Sequence, residues 1–331
     1  MKHPPYHLRI NKAVDRFLLV EMLNILRRRL DISNYTYYGF GGPFLEDCRL
    51  LREYCSDLDL VSIERDAETY KRQKFHRFTK NKLRLVDKNL NSFLAADFVG
   101  TGKEIFWLDY VDSKYERFEE FKMVLQKVGD NSLVKITLRA TFFGNTFRER
   151  DLDNDSVITP DQKTFINNFN RRYRNVLPTR IEDKEIFARP LKTIELICRM
   201  LRIAASKALP YEGGSVFQPL NASHYQDGVP MLSVMGIVCP HEEVEGIKEL
   251  FRDWPFANLS WETPHKIDVP VLSTKERFHI EDLLPTETHD GTDLARALGY
   301  NIDDDAVTSI EKLCQYEYFH QYYPHFIRAY L

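Results

Sequence analysis

Strand-like and helix-like segments alternate without interruption from about residue 35 to residue 138, and this alternation constrains the fold more than any other feature. Each short apolar or aromatic run is followed by a segment with apolar residues at three- and four-residue spacing. Five strands are predicted here: Tyr35–Tyr38, Leu58–Ile63, Lys82–Val86, Glu104–Leu108 and Ser132–Leu138. Strands separated by single helices pair in parallel through right-handed crossovers, so the pattern predicts an open, doubly wound α/β sheet.

Beyond residue 143 the pattern changes. A polar helical insertion is predicted at about 144–208, and two further strands follow, Ser215–Leu220 and Met231–Val238. Because only the polar loop 221–230 joins these strands, they should pair antiparallel. We expect one domain over residues 1–240 that contains the insertion, followed by a mainly helical C-terminal region over residues 241–331.

Composition excludes several classes of protein. The chain has 46 basic and 49 acidic residues and a net charge of -3, which disfavours a wholly electrostatic nucleic-acid binder. A local basic surface for nucleic acid is still compatible with the sequence, because cations cluster after the second strand. The cluster is Lys71, Arg72, Lys74, Arg77, Lys80, Lys82 and Arg84. Five scattered cysteines without a CxxC pair indicate neither a zinc site nor a disulfide framework.

The N-terminal residues lack the apolar core of a signal peptide, and no apolar run approaches the roughly 20 residues that span a bilayer. We therefore expect a cytoplasmic protein that is not inserted in a membrane.

A glycine-rich turn follows the first strand directly. It reads Gly39-Phe40-Gly41-Gly42, and a helix is predicted after it. Glycines at such a junction allow a sharp turn and the close approach of a ligand to the backbone. The pattern is shorter than the full G-x-G-x-x-G, so it is also compatible with a purely structural turn. If the turn holds a ligand, valine at Gly41 should exclude that ligand and leave the fold intact.

Polar side chains end the next three strands. Glu64, followed by Arg65, ends the second strand 25 positions after Gly39, where a carboxylate can accept hydrogen bonds from ribose hydroxyls. Asn89 follows the third strand, and Asp109 ends the fourth. Ligands of open α/β sheets bind beyond the carboxyl ends of the strands, so these side chains should converge on one crevice.

With these motifs the chain resembles the class I S-adenosylmethionine-dependent methyltransferases, over roughly residues 34–238. The resemblance implies a Rossmann-like, seven-stranded sheet of five parallel strands plus an antiparallel pair. It implies S-adenosyl-L-methionine as the cofactor, with Gly39, Phe40, Gly41, Gly42, Glu64, Arg65, Asn89 and Asp109 as the cofactor-binding residues. The turn lacks the usual third glycine, and Asn89 stands where an aspartate is usual.

Within that group the chain is most similar to O-methyltransferases, since the Asp-Pro-Pro-Tyr motif of nucleobase amino methyltransferases is absent. The fifth strand is not followed by the Asp-Asn pair of metal-dependent O-methyltransferases, so we expect no metal. Asp109, Tyr110 and Asp112 are the candidate catalytic residues, as base or positioning groups for an unidentified methyl acceptor. Two alternatives remain open: a non-catalytic relative that binds a protein partner through the insertion or the C-terminal region, and a nucleic-acid methyltransferase. A nicotinamide-dependent oxidoreductase is disfavoured by the antiparallel strand pair.

Overall fold

The computed structural model describes residues 9–142, 160–179, 181, 186 and 190–324. The chain forms two compact units. The larger comprises residues 20–224 and 229–265, and the smaller comprises residues 1–19, 225–228 and 266–331. The first part of the predicted insertion, residues 143–159, lies outside the described residues.

Eight strands are described, in the order of the chain. They are β1 Thr36–Gly39, β2 Asp59–Glu64, β3 Leu83–Asp87, β4 Glu104–Asp109, β5 Leu133–Arg139, β6 Ser215–Gln226, β7 Pro230–Pro240 and β8 His265–Ile267.

Helices separate the strands of the first half of the chain and dominate the rest of its described part. They are α1 Ile10–Leu26, α2 Glu46–Tyr54, α3 Ala67–His76, α4 Leu90–Ala96, α5 Tyr115–Lys127, α6 Pro160–Tyr173, α7 Pro190–Ala208, α8 Val244–Phe251, α9 Thr274–Glu281, α10 Thr292–Leu298 and α11 Ala306–Phe319. None of these described helices combines the length and the apolar character needed to cross a membrane.

The strands form one sheet in the order β3-β2-β1-β4-β5-β7-β6-β8. The first five strands of the chain are parallel, and β7 pairs antiparallel with β5. The predicted doubly wound sheet of five parallel strands plus an antiparallel pair is therefore confirmed, and β7 is the strand that lies beside β5. The strand count differs from the seven expected, because a three-residue strand, β8, is added at the edge.

One face of the sheet packs against α4, α5, α6 and α7. The apolar residues of this face, among them Phe106 and Ile136, belong to a single core cluster with Phe93, Phe121 and Leu201 of those helices. Burial of that apolar area is the main stabilising contribution to the unit. The carboxyl ends of the parallel strands are thereby held in fixed positions.

Strand β6 is longer than predicted. Residues 221–226, expected in a loop, continue the strand, and Asn221 and Ser223 are almost fully buried in it. Their polar groups are satisfied by nearby acceptors: Asn221 Nδ2 donates to the Phe256 carbonyl at 2.7 Å, and Ser223 Oγ donates to Asn221 Oδ1 at 3.1 Å. A polar sequence can therefore form a buried strand here because tertiary partners replace water.

Candidate functional site

The glycine turn at the end of β1 has a left-handed backbone. Gly41 and Gly42 have φ angles of +66° and +54°, and the amide of Gly42 donates to the Phe40 carbonyl at 2.8 Å. Residues with a Cβ are strained in this region of φ, whereas glycine is not. The two glycines let the chain reverse within three residues before α2 begins.

Two side chains from neighbouring elements hold the turn. Gln73 of α3 is fully buried, and its Nε2 donates to the carbonyls of Phe40 and Gly42, at 2.9 Å each. The Oγ of Ser62, in β2, lies 3.1 Å from the Phe40 carbonyl oxygen and 3.1 Å from Gln73 Oε1. Because these groups satisfy the inward-facing carbonyls, the protein sets the conformation of the turn before any ligand binds.

The glycines of the turn have different surroundings. A Cβ on Gly41 would lie 2.7 Å from Ser62 Oγ and 3.0 Å from Leu45 Cδ2, and a Cβ on Gly39 would lie 2.3 Å from the Tyr37 hydroxyl. A Cβ on Gly42 would meet no atom of the described residues within 4 Å. Gly39 and Gly41 are therefore required by the protein's own packing, and Gly42 is the glycine with open space beside it.

Glu64 and Asp109 end the two strands that flank β1, at equivalent positions in the sheet. Gly39 pairs with Ser62 of β2 and with Trp107 of β4, and each carboxylate lies two residues further along its strand. Both side chains are half-buried. Parallel strands that pair in this register bring their terminal side chains to one edge of the sheet, so the two predicted acids lie on either side of the strand that carries the turn.

Glu64 is a half-buried carboxylate with a partner at the N-cap of α3. Its Oε1 accepts a hydrogen bond from the Asp66 amide at 2.7 Å. Burial raises the pKa of Glu64 above its ordinary value, although hydrogen bonds from the amides of Asp66 and Arg65 oppose the rise. The side chain of Arg65 is exposed.

Asn89 lies at the start of α4, and its role there is partly structural. Its Oδ1 accepts from the Ser92 amide at 2.8 Å, as an N-cap does. A further acid was missed by the sequence analysis: Asp87 ends β3, is exposed, and pairs in register with Glu64. The signal was present, because Asp87 directly follows the predicted third strand.

Tyr110 is buried behind the turn. Its ring centroid lies 5.3 Å from that of Phe40, and the Arg117 guanidinium stands over it at 4.5 Å. Burial raises the pKa of Tyr110 well above its ordinary value, so the phenol stays protonated at neutral pH. Tyr110 therefore connects the end of β4 to the glycine turn and is suited to support the site but not to accept a proton.

Asp112 is held by an arginine. Its two oxygens accept from Arg117 Nε at 2.9 Å and Nη2 at 3.1 Å, and Arg117 also binds Glu120 at 2.9 Å. Burial alone would raise the pKa of Asp112, but the Arg117 hydrogen bonds and charge outweigh it, and the pKa lies below its ordinary value. A carboxylate held in this way is a weak base and a strong structural anchor.

Arg139 and Thr141, at the end of β5, were also missed. Arg139 lies two residues after Thr137, so the two side chains lie on the same face of the sheet. Thr137 pairs in register with Asp109. Arg139 Nε and Thr141 Oγ1 are buried and have no hydrogen-bond partner among the described residues. Such groups are rare in folded proteins and often mark a ligand position. A cation at a strand end was the available signal.

No group of three metal-ligating side chains occurs in the part of the chain that the structure describes. The five cysteines are free thiols, and four of them are buried.

A family model described as "Putative O-methyltransferase" matches residues 4–331. No curated protein matches the sequence. Among solved structures, Trm1 from Pyrococcus horikoshii in complex with S-adenosyl-L-methionine is 14% identical, with a TM-score of 0.40 over 69% of this chain and 55% of that one.

Two further solved structures are similar at the same level. TYW2 of P. horikoshii in complex with MeSAdo is 12% identical, with a TM-score of 0.35 over 66% of this chain and 61% of that one. The plantazolicin methyltransferase BamL, in complex with a triazolic desmethylPZN analog and SAH, is 8% identical, with a TM-score of 0.40 over 68% of this chain and 84% of that one. The chain thus spans less than two thirds of the Trm1 and TYW2 chains.

Proposed function

Because the chain belongs to that O-methyltransferase family, and so to the class I S-adenosylmethionine-dependent methyltransferases, we propose that the methyl donor binds at the glycine turn between Glu64 and Asp109. The observation that carries this proposal is the common register of the two carboxylates on either side of Gly39. The residues present fit the donor: a turn with open space beside Gly42, a half-buried acceptor for a diol, and aromatic rings beside them.

Each side chain then has a defined part. Glu64 accepts hydrogen bonds from the ribose hydroxyls, and its Oε1 is already oriented by the Asp66 amide. Asn89 and the adjoining Asp87 lie on the side where the adenine edge would bind. Arg65 contributes positive charge beside Glu64. Phe40 lies against Tyr110 and gives the crevice an apolar wall.

The donor supplies an activated methyl group on a sulfonium, so the protein contributes mainly alignment of the acceptor. Asp109 is the group best placed to take a proton from an acceptor hydroxyl or to orient it, because it stands beside the turn on β4. Tyr110 and Asp112 are positioning residues in this proposal, since one stays protonated and the other is bound by Arg117. Arg139 and Thr141 border the acceptor side.

Isothermal titration calorimetry tests the donor site. S-adenosylmethionine and S-adenosylhomocysteine should bind the purified protein, whereas NAD should not, and Glu64→Gln should weaken the binding of both. Labelled methyl transfer into protein, nucleic-acid and small-molecule pools of a cell extract then separates an enzyme from a binding protein. Tight donor binding without labelling of any pool would favour a non-catalytic interaction protein. A cytoplasmic location stays a prediction from the sequence.

A further inference from the structure

One stretch of the larger unit has a charge opposite to that of the whole chain. Residues 70–86 contain seven cations and no acid, in a protein whose net charge is -3. These residues form most of α3, the following loop and most of β3, the edge strand of the sheet. We call this stretch, with the aromatic rings that contact it, the basic ledge.

Most of these charges are not neutralised. Lys71 pairs with Glu68 at 2.7 Å, and Lys82 pairs with Asp59 at 3.0 Å. For the other five cations of the ledge, no carboxylate lies within ion-pair distance in the described part of the chain. They are Arg72, Lys74, Arg77, Lys80 and Arg84. Arg84 stands over the Phe93 ring of α4, on the other face of the sheet, and Arg77 donates to the carbonyls of Thr79, Lys80 and Leu83. The exposed cations Arg72, Lys74 and Lys80 therefore give the ledge a local positive field that the overall acidity of the chain does not cancel.

Aromatic rings lie among the cations. Phe75 is 85% exposed, more than any other large apolar side chain of the described residues. Its ring contacts the His76 ring at 5.1 Å, and the His76 ring contacts that of Phe44 at 5.1 Å. The Arg72 guanidinium stands 4.7 Å over Phe44. Exposed Phe75 thus extends a row of rings that is interleaved with positive charge.

We propose that the basic ledge binds single-stranded nucleic acid, with phosphates on the cations and a base stacked on Phe75. A cationic surface that presents aromatic faces is the arrangement that single strands require, because the backbone needs charge and each unstacked base needs a ring. Arg72 lies three residues before Phe75 and Lys71 lies four before it, so all three share one side of α3. A duplex offers no free base face to Phe75.

The ledge borders the proposed donor site without being part of it. Helix α3 carries the ledge, and its N-cap, Asp66, lies two residues beyond Glu64. A strand bound on the ledge would therefore pass close to the donor crevice. Binding to the ledge does not depend on the donor, so the proposal stands or falls separately from the methyltransferase assignment.

Fluorescence anisotropy with labelled 12-nucleotide oligouridylate and oligothymidylate, in the absence of donor, tests the proposal. Both should bind at 50 mM salt, more tightly than a duplex of the same length. The logarithm of the affinity should fall linearly with the logarithm of the salt concentration. Each phosphate contact should contribute about -0.7 to the slope. Phe75→Ala should weaken binding about 5- to 150-fold, the range for loss of one stacked base. Lys74→Glu should weaken it and lower the salt slope.

A matched control exists on α9, where Lys275 and Phe278 are also exposed and Phe278 is 66% exposed. Lys275→Glu and Phe278→Ala should leave oligonucleotide affinity unchanged. Circular dichroism and urea denaturation of the ledge variants report whether the fold is intact, whether or not the protein binds the donor.

The proposal is overturned by equal binding of wild type and of the Phe75→Ala and Lys74→Glu variants, or by no oligonucleotide binding at 50 mM salt. Binding to anionic vesicles without binding to oligonucleotide would instead assign the ledge to a membrane surface. Dissociation of a dimer by Phe75→Ala, seen by sedimentation without oligonucleotide binding, would assign it to a second copy of the chain.

Discussion

A Cβ on Gly41 would lie 2.7 Å from the hydroxyl oxygen of Ser62. The first glycine after Phe40 therefore packs against the protein itself, and the second, Gly42, has open space beside it. The expectation that valine at Gly41 removes a ligand and spares the fold is not supported by this geometry. Ser62 and Leu45 occupy the space that the side chain would need.

Gly41→Ala should destabilise the larger unit by about 1–3 kcal/mol, because it adds a close contact with Ser62 to an unfavourable φ. Gly42→Ala should cost only about 1–2 kcal/mol from its φ of +54°, and it should weaken donor binding at the same time. Urea denaturation and calorimetry on the same samples measure both effects. A Gly42 variant with normal donor affinity would place the ligand elsewhere.

Glu64→Gln should reduce donor affinity by about 1–3 kcal/mol, since the charged acceptor for the ribose hydroxyls is lost. In the wild type, affinity should fall as the pH is lowered. Because burial raises the pKa of Glu64 above the ordinary 4.5, the fall should begin at a higher pH than for an exposed glutamate. A raised pKa means that protonation of Glu64 stabilises the free fold, so this group does not weaken binding by unfolding the protein. A Glu64→Gln variant with the wild-type pH profile would contradict the assignment.

Asp109→Asn should keep the size of the side chain and the donor affinity, and it should lower turnover about 100-fold or more, the scale of a lost general base. Labelled methyl transfer into the pool that accepts the label gives the turnover, and calorimetry gives the donor affinity. Unchanged turnover would show that the protein is an enzyme but that Asp109 is not one of its catalytic residues.

Asp112→Asn should act on stability, because it removes charged hydrogen bonds from Arg117. The expected loss is about 1–3 kcal/mol in the free energy of unfolding at neutral pH. The pKa of Asp112 is lowered in the folded protein, so its contribution is present above the ordinary 3.8 and is lost as the pH falls through the lower folded value. Urea unfolding at pH 7 and below pH 3.8 measures the difference between wild type and variant, which should shrink in acid. A constant difference at both pH values would contradict the ion-pair explanation.

Arg139→Gln should raise the acceptor KM and leave donor affinity unchanged, because the Arg139 guanidinium borders the proposed acceptor side of the crevice. Arg139→Lys, which keeps the charge but not the planar fork, should recover part of the loss. Initial rates at varied acceptor concentration, with donor saturated, measure the KM. An equal loss of donor affinity in both variants would show that Arg139 acts on the donor site or the fold instead.

The sequence by itself determined the parallel sheet and the end of it at which we propose the site. Period-2 and period-3.6 apolar patterns are local properties, and parallel pairing follows from single-helix connections. The positions of Glu64 and Asp109 could be read because strand-end residues of a parallel sheet lie at one edge. The end of β6 could not be predicted from a local pattern, because the Phe256 carbonyl that accepts the hydrogen bond of Asn221 lies 35 positions away in the chain.

Only the tertiary structure decided what each polar residue at this edge does. Asp109 and Asp112 look alike in the sequence, but Arg117 binds both oxygens of Asp112. Gly41 and Gly42 are adjacent, yet Ser62 and Leu45 close the space beside one of them only. The physical reason is the same in each case: burial, pKa and free space depend on neighbours from other elements, and local sequence patterns do not encode those contacts.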